Sequence, residues 1–142
     1  MLVNLSLENK NILIVGGGKV GFRKAKKLLN YTNKIKVVSL DFAKEFEILD
    51  VELVKSEYSS EFLTDVDLIF LCTNNPSLHD KIINSIQDKK ILINNSTSRT
   101  NMDFAMVNSF IDYGVEIAVT SDKGISDSKK IIDRIKKNLL RR

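Results

Sequence analysis

Apolar positions along this chain fall in short blocks, and the spacing inside the blocks switches back and forth between two periods. Ile12-Leu13-Ile14-Val15 is a continuous apolar run of strand length. After a glycine turn, Val20, Ala25, Leu28 and Leu29 recur at helical spacing, with Arg23, Lys24, Lys26 and Lys27 on the outward face. Ile35 to Leu40 is short and β-branched, a second strand ending at Asp41. Phe42 to Asp50 predicts a short helix, and Val51-Glu52-Leu53-Val54 alternates as a third strand. Asp67 to Cys72 is almost wholly apolar, as in a strand buried on both faces. Thr73-Asn74-Asn75-Pro76 stops that strand, and Pro76 suits the first turn of a helix because its missing N–H costs nothing there. The helix is expected to run to about Gln87 with Leu78, Ile82, Ile83 and Ile86 on one face. Ile91 to Asn94 predicts a fifth strand, followed by the polar loop Asn95 to Asn101. Met102 to Tyr113 carries helical spacing up to Gly114, Val115 to Val119 predicts a sixth strand, and Ser126 to Leu140 a final amphipathic helix. That last helix sets Ile131, Ile132, Ile135 and Leu139 against a basic face.

Strand and helix thus alternate with short joins. The pattern predicts an α/β fold, Rossmann-like and doubly wound, with a mostly parallel sheet and helices on both faces. Residues 1–142 read as one domain without internal repeats. In such a sheet ligands bind beyond the carboxyl ends of the strands. Here those ends are 16–21, 40–41, 73–75, 94–99 and 120–124, each polar or glycine-rich.

Composition narrows the classes. Hydrophobic residues make up 43% of the 142, enough for a core, and a single proline argues against linkers and low complexity. No apolar run approaches the roughly 18 residues of a membrane span, and the first residues lack the pattern of a secretory signal. A lone cysteine, Cys72, excludes an internal disulfide and a multi-cysteine metal cage, so no metal is expected and a reduced, cytoplasmic setting is the simplest. Cys72 itself reads as a core residue. The net charge of +4 fits either a lysine-rich surface or a cleft for a polyanion. No recognition helix, aromatic stacking set or zinc pattern points to nucleic acid.

The chemistry is concentrated at the first turn. Gly16, Gly18 and Gly21 are spaced G-x-G-x-x-G behind a strand and before a helix. Gly16 suits the tight turn, Gly18 lets backbone approach a pyrophosphate, and Gly21 lets helix and strand pack closely. The helix amino terminus offers free N–H groups and partial positive charge to a phosphate. Asp41 lies twenty residues past Gly21, where an acid hydrogen-bonds the adenosine ribose; its charge disfavours the extra phosphate of NADP, which makes NAD the expected cofactor.

The whole set is more specific than the glycines alone. VGGGKVGFRKAKKLL after the leader Leu2-Val3-Asn4-Leu5, LIFLCTNNPSLHDKI with its Thr73-Asn74-Asn75 turn, Ile93-Asn94, Asp103-Phe104 and IAVTSDKG together resemble the precorrin-2 dehydrogenase / siroheme synthase N-terminal family, some of whose members also act as ferrochelatases. The similarity runs from about Leu2 to Leu140. It implies NAD-dependent oxidation of precorrin-2 to sirohydrochlorin, on the route to siroheme and cobalamin. By position it implies that Lys19, Val20, Leu40, Thr73 and Asn94 join Gly16, Gly18, Gly21 and Asp41 around the dinucleotide. The tetrapyrrole is a polycarboxylate, so Arg23, Lys24, Arg99 and Lys123, with the Ser121 hydroxyl, become candidate substrate partners. Thr97 stands where the family carries an aspartate implicated in dehydrogenation and chelation. A threonine hydroxyl is no general base near neutral pH, although it can orient substrate or water. Chelation suffers most, because metal insertion needs a group that takes pyrrole protons. For the oxidation, Asp103 and the sole histidine, His79, are the remaining proton acceptors nearby; His79 otherwise reads as an exposed helix position and Asp103 as a turn or cap residue. The family usually continues into a helical segment that builds a homodimer and part of the substrate cleft, of which this chain carries the first helix. Ser126–Leu140 fits a helix docking a second subunit and equally one covering its own sheet.

Two functions therefore stand side by side: a precorrin-2 dehydrogenase, and a non-catalytic NAD- or tetrapyrrole-binding regulatory Rossmann module of the kind attached to potassium channels.

Overall fold

The computed structural model describes residues 2–121 and 125–139. The chain divides into two units, one of them Leu5–Ala105, the other taking in 2–4 and 106–139 of the described residues.

The larger unit is built on β1, Ile12–Gly17. All six of its residues are buried, as its unbroken apolar run requires. It is flanked by β2 (Ile35–Phe42) and β4 (Leu68–Leu71), with β3 (Glu52–Lys55) and β5 (Leu92–Asn95) at the edges, giving the order β3-β2-β1-β4-β5. All four pairings are parallel. Two helices cover opposite faces. Helix α1, Lys19–Leu28, buries Gly21, Ala25 and Leu28 and approaches the face carrying Ile14. Leu13, Val15, Ile69 and Leu71 point the other way and pack with Ile82 and Ile86 at and just beyond helix α2, Pro76–Ser85. Alternate residues of a strand face opposite sides, so one apolar run fills two cores. The order reverses between β1 and β4, where the chain crosses from the α1 face to the α2 face. The Rossmann-like expectation is met in this unit by five parallel strands.

Boundaries shift modestly. The short helix expected over 42–50 is a 3₁₀ turn, Lys44–Ile48, because β2 runs two residues past Leu40. Its end is held by Gly17: Gly17 pairs with Phe42, and the Ala43 amide donates to the Gly17 carbonyl at 2.8 Å. Helix α2 stops at Ser85 rather than Gln87.

The smaller unit corrects the sequence reading. No helix spans Met102–Tyr113. Asp103 and Phe104 lie along the free edge of β5, their amides donating to the Ile93 carbonyl. Asn108–Asp112 is a strand, β6, pairing antiparallel with β7, Val115–Val119. Tyr113 and Gly114 form the two-residue turn, with φ of 47° and 79°. Left-handed backbone at both central positions matches the twist of a hairpin. Gly114 therefore closes a turn and does not end a helix, and β7 belongs to a separate two-stranded sheet. Helix α3, Ile125–Leu139, packs on this hairpin. Ile132 is buried, but Ile131 is exposed. Asn108 Nδ2 donates to Ser128 Oγ at 2.8 Å, and Lys136 lies over the Phe110 ring.

Candidate dinucleotide site

The carboxyl ends of β1, β2, β4 and β5 carry most of the expected residues. Gly16 has φ of 115°, and a Cβ there would lie 2.7 Å from the Cys72 carbonyl carbon. Only glycine lets β1 turn this close to the end of β4. A Cβ at Gly21 would overlap the Gly16 carbonyl, so α1 leaves the turn tight against the strand. Gly18 is different: it is the N-cap of α1, and nothing lies within 4 Å of where its Cβ would be. No side chain caps the helix there and no acidic residue occupies the first turn. The first N–H groups of a helix lack intrahelical partners and carry its positive end. An open, uncapped glycine terminus fits a pyrophosphate, and with it a dinucleotide. Lys19 and Val20 begin α1, Lys19 exposed and Val20 partly so.

Leu40 is 64% exposed at the end of β2. The Asp41 side chain is 90% exposed and faces Lys55 Nζ at 3.6 Å. An ion pair that open is weakly held, so the carboxylate is free to accept ribose hydroxyls.

Beyond β4 and β5 lies a polar cluster that the sequence reading missed. His79 is 1% exposed, not an exposed helix position. It shares the inner face of α2 with Ile82 and, past its end, Ile86, a 79, 82, 86 spacing that the sequence displays. Nε2 lies 2.8 Å from Thr73 Oγ1. Nδ1 lies 3.1 Å from Asn95 Oδ1 and 3.0 Å from Thr97 Oγ1. Asn95 is buried and also accepts from the Thr97 amide and hydroxyl. Thr73 Oγ1 accepts from the Asn75 amide, which starts the turn into α2, and Asn75 Oδ1 caps that helix through the Leu78 amide. Burial pushes the imidazole pKa down, against smaller upward pulls from Asn95 and Asp80.

Lys24 is also not where its helical position suggested. It turns inward, its ammonium donating to Asn94 Oδ1 at 2.6 Å and lying 5.3 Å from the Phe70 ring centroid. Burial lowers its pKa. Asn94 is buried, and its Nδ2 donates to the Phe104 carbonyl at 2.8 Å. Asp103 is a structural bracket: its carboxylate accepts from the Ile93 amide at 2.8 Å. Arg23 and Arg99 are exposed. Ser121 belongs to the smaller unit, and Lys123 lies outside the described residues. Cys72 is buried, its thiol pushed up to about 12 by desolvation, as a core residue should be. Among the described residues no group of three potential metal ligands is gathered, and no helix is long and apolar enough to cross a membrane.

Comparisons with known proteins agree with this geometry. Residues 3–108 match a family described as "Putative NAD(P)-binding". Siroheme synthase 2 of Pectobacterium atrosepticum is 29% identical over 119 residues, covering 81% of this chain and 26% of that protein. The "Probable multifunctional siroheme biosynthesis protein HemA" of Ruminiclostridium josui is 25% identical over 139 residues, covering 94% and 27%. The chain thus spans about a quarter of the length of these curated relatives. Among solved structures, the precorrin-2 dehydrogenase SirC shares the fold, with a TM-score of 0.82 at 22% identity over 97% of this chain and 70% of its own. Since the family match takes in most of the chain, and its glycine turn and open helix terminus are built for a dinucleotide, the protein belongs to this NAD(P)-binding family.

Proposed function

We propose that the protein is an NAD⁺-dependent precorrin-2 dehydrogenase, producing sirohydrochlorin for siroheme or cobalamin formation. The observation that carries the reading is the open, uncapped Gly18 terminus of α1 beside the exposed Asp41 carboxylate, in a chain whose relatives are named for siroheme synthesis. Gly18 and the first α1 amides would hold the pyrophosphate, and Asp41 the adenosine ribose, which favours NAD over NADP by charge. Bound there, the oxidised nicotinamide supplies a hydride acceptor. Leu40 meets the adenosine half beside Asp41, Thr73 and the glycine turn lie toward the nicotinamide, and holding the substrate carbon against that ring lowers much of the barrier.

A polycarboxylate tetrapyrrole needs cations at the same strand ends. Arg23 and Arg99 are exposed there, and the partly buried Lys24 adds positive potential. Substrate roles for Ser121 and Lys123 rest on the sequence resemblance alone. Ferrochelatase activity is not part of the reading. Thr97 supplies no carboxylate, and that of Asp103 is engaged by the Ile93 amide. A free buried thiol suits a cytoplasmic setting.

The same two facts favour a second reading, a dinucleotide- or tetrapyrrole-binding module without turnover. Anaerobic incubation with precorrin-2 and NAD⁺, following NADH absorbance, separates the two. NADH formation stoichiometric with sirohydrochlorin is expected of the enzyme; tight NAD⁺ binding without NADH formation leaves the binding module.

A further inference from the structure

The hydrogen bonds around His79 determine its proton positions. The Thr97 amide donates to Asn95 Oδ1 at 3.0 Å, which fixes that atom as the carbonyl oxygen. The Thr97 hydroxyl also donates to Asn95 Oδ1, at 2.9 Å, so its proton is used. His79 Nδ1 therefore faces two acceptors, Asn95 Oδ1 and Thr97 Oγ1, and must carry the hydrogen. In the neutral ring Nε2 is then a bare lone pair. Thr73 Oγ1, 2.8 Å away, already accepts from the Asn75 amide and donates its proton to Nε2. The result is a directed chain: a half-exposed hydroxyl, a buried neutral imidazole, and an amide oxygen that orients the ring. A hydroxyl held by a base that a third group orients is the arrangement by which proteins draw the proton off a hydroxyl, leaving its oxygen able to take another. Thr73 lies two residues past the end of β4, its amide against the Gly16 turn, so this hydroxyl lies on the dinucleotide side of the cluster.

We infer that Thr73 and His79 form the proton outlet of the oxidation, Thr73 Oγ1 taking the substrate proton while its own passes to His79 Nε2. The inference rests on the dehydrogenase reading. The substrate loses two hydrogens. One leaves carbon with both bonding electrons, as hydride to the oxidised nicotinamide. The other leaves as a proton, its bonding pair remaining to complete the new double bond. Thr73 regains a hydrogen as it gives one up, and the charge ends on the His79 ring, whose Nδ1–H stays on Asn95 and Thr97. The group charged near the ring is Asp80, the next residue of α2, and it stabilises the imidazolium. The residues facing the ring from the β4 and β5 ends, Thr73, Asn95 and Thr97, are uncharged. The outlet supplies what Thr97, in place of an acid, does not.

Having one histidine makes the test direct, since a single imidazole is seen by ¹⁵N NMR in the free protein. Wild type is expected to show the Nδ1–H form of a neutral ring. Its kcat should fall as pH drops through the titration of that ring. Thr73→Val should lower kcat by about 100-fold, the scale of a lost general base, and flatten that limb, with KM little changed, whereas Thr73→Ser restores both. An Nε2–H ring in wild type overturns the outlet, as does a wild type that turns over while Thr73→Val is equally fast. A wild type that forms no NADH from precorrin-2 overturns the dehydrogenase reading, and the outlet with it. An active wild type with a wrong tautomer leaves that reading standing.

Discussion

Lys24 Nζ donates to Asn94 Oδ1 at 2.6 Å, joining the middle of α1 to the buried end of β5. The lysine stem thus leaves the solvent face of its helix, and its charge sits over Phe70. Replacing it by methionine keeps the stem but leaves Asn94 Oδ1 buried without this donor. Lys24→Met is expected to cost about 1–3 kcal/mol, read as a lower urea midpoint at unchanged slope. Lys26→Met, on the exposed side of the same helix, is expected to change nothing measurable.

Two glycines two residues apart should fail in opposite ways. Gly16→Ala forces a side chain into left-handed backbone and into the Cys72 carbonyl, so the melting temperature should fall with a loss of at least about 1–3 kcal/mol. Gly18 has φ of −80° and free space. Gly18→Ala should melt close to wild type and bind NAD⁺ about tenfold more weakly, roughly 1.4 kcal/mol, because the new methyl occupies the pyrophosphate's approach. Calorimetric titration alongside thermal melting checks both.

Asp41 is expected to set the preference between the two dinucleotides. Asp41→Ser removes a ribose acceptor and a charge that repels a 2′-phosphate, and it leaves Lys55 free nearby. NAD⁺ binding should weaken about tenfold while NADP⁺ binding strengthens, the ratio shrinking as salt screens these exposed charges. A ratio unchanged from wild type would show that the carboxylate does not read the ribose.

Acid should loosen the fold in two stages. Folding lowers the His79 pKa through burial, so its share of stability is complete above 6.5, the unfolded value, and is lost as pH falls toward the folded value. Asp67 is lowered chiefly by the Asn11 amide, which it accepts at 2.8 Å, with Lys10 adding to the effect. Its share is complete above 3.8 and disappears as pH drops further. Urea midpoints measured from pH 7 to pH 3 should decline first below about 6.5. In His79→Asn that early decline should vanish, and in Asp67→Asn the later one should shrink.

How far the chain could be read in advance varied with how local the cause was. The unbroken apolar runs of β1 and β4 announce strands covered on both sides, because a two-sided core needs no alternation. The glycine turn, Asp41 and the Pro76 start of α2 are local devices, set by φ, charge and a missing N–H, and each is where its residue type says. The His79, Ile82, Ile86 spacing was also on display, but a histidine on an apolar face carries no sign of whether its nitrogens are met.

The segment before Gly114 shows the opposite case. Its apolar spacing suits a helix, and only antiparallel pairing across the Tyr113-Gly114 turn, from Asn108 with Val119 to Asp112 with Val115, makes a strand the better state for its backbone. Lys24 and Asp103 likewise depend on β5, whose edge offers Asn94 and the Ile93 amide. By itself, then, the sequence determined a parallel dinucleotide-binding sheet, its glycine turn and the acid at the end of β2, since these follow from periodicity and backbone sterics over a few residues. The tertiary structure alone decided the hairpin, the inward lysine and the buried Thr73–His79–Asn95 chain, because each is a hydrogen bond between groups that the sequence holds apart and only folding brings within 3.1 Å or less.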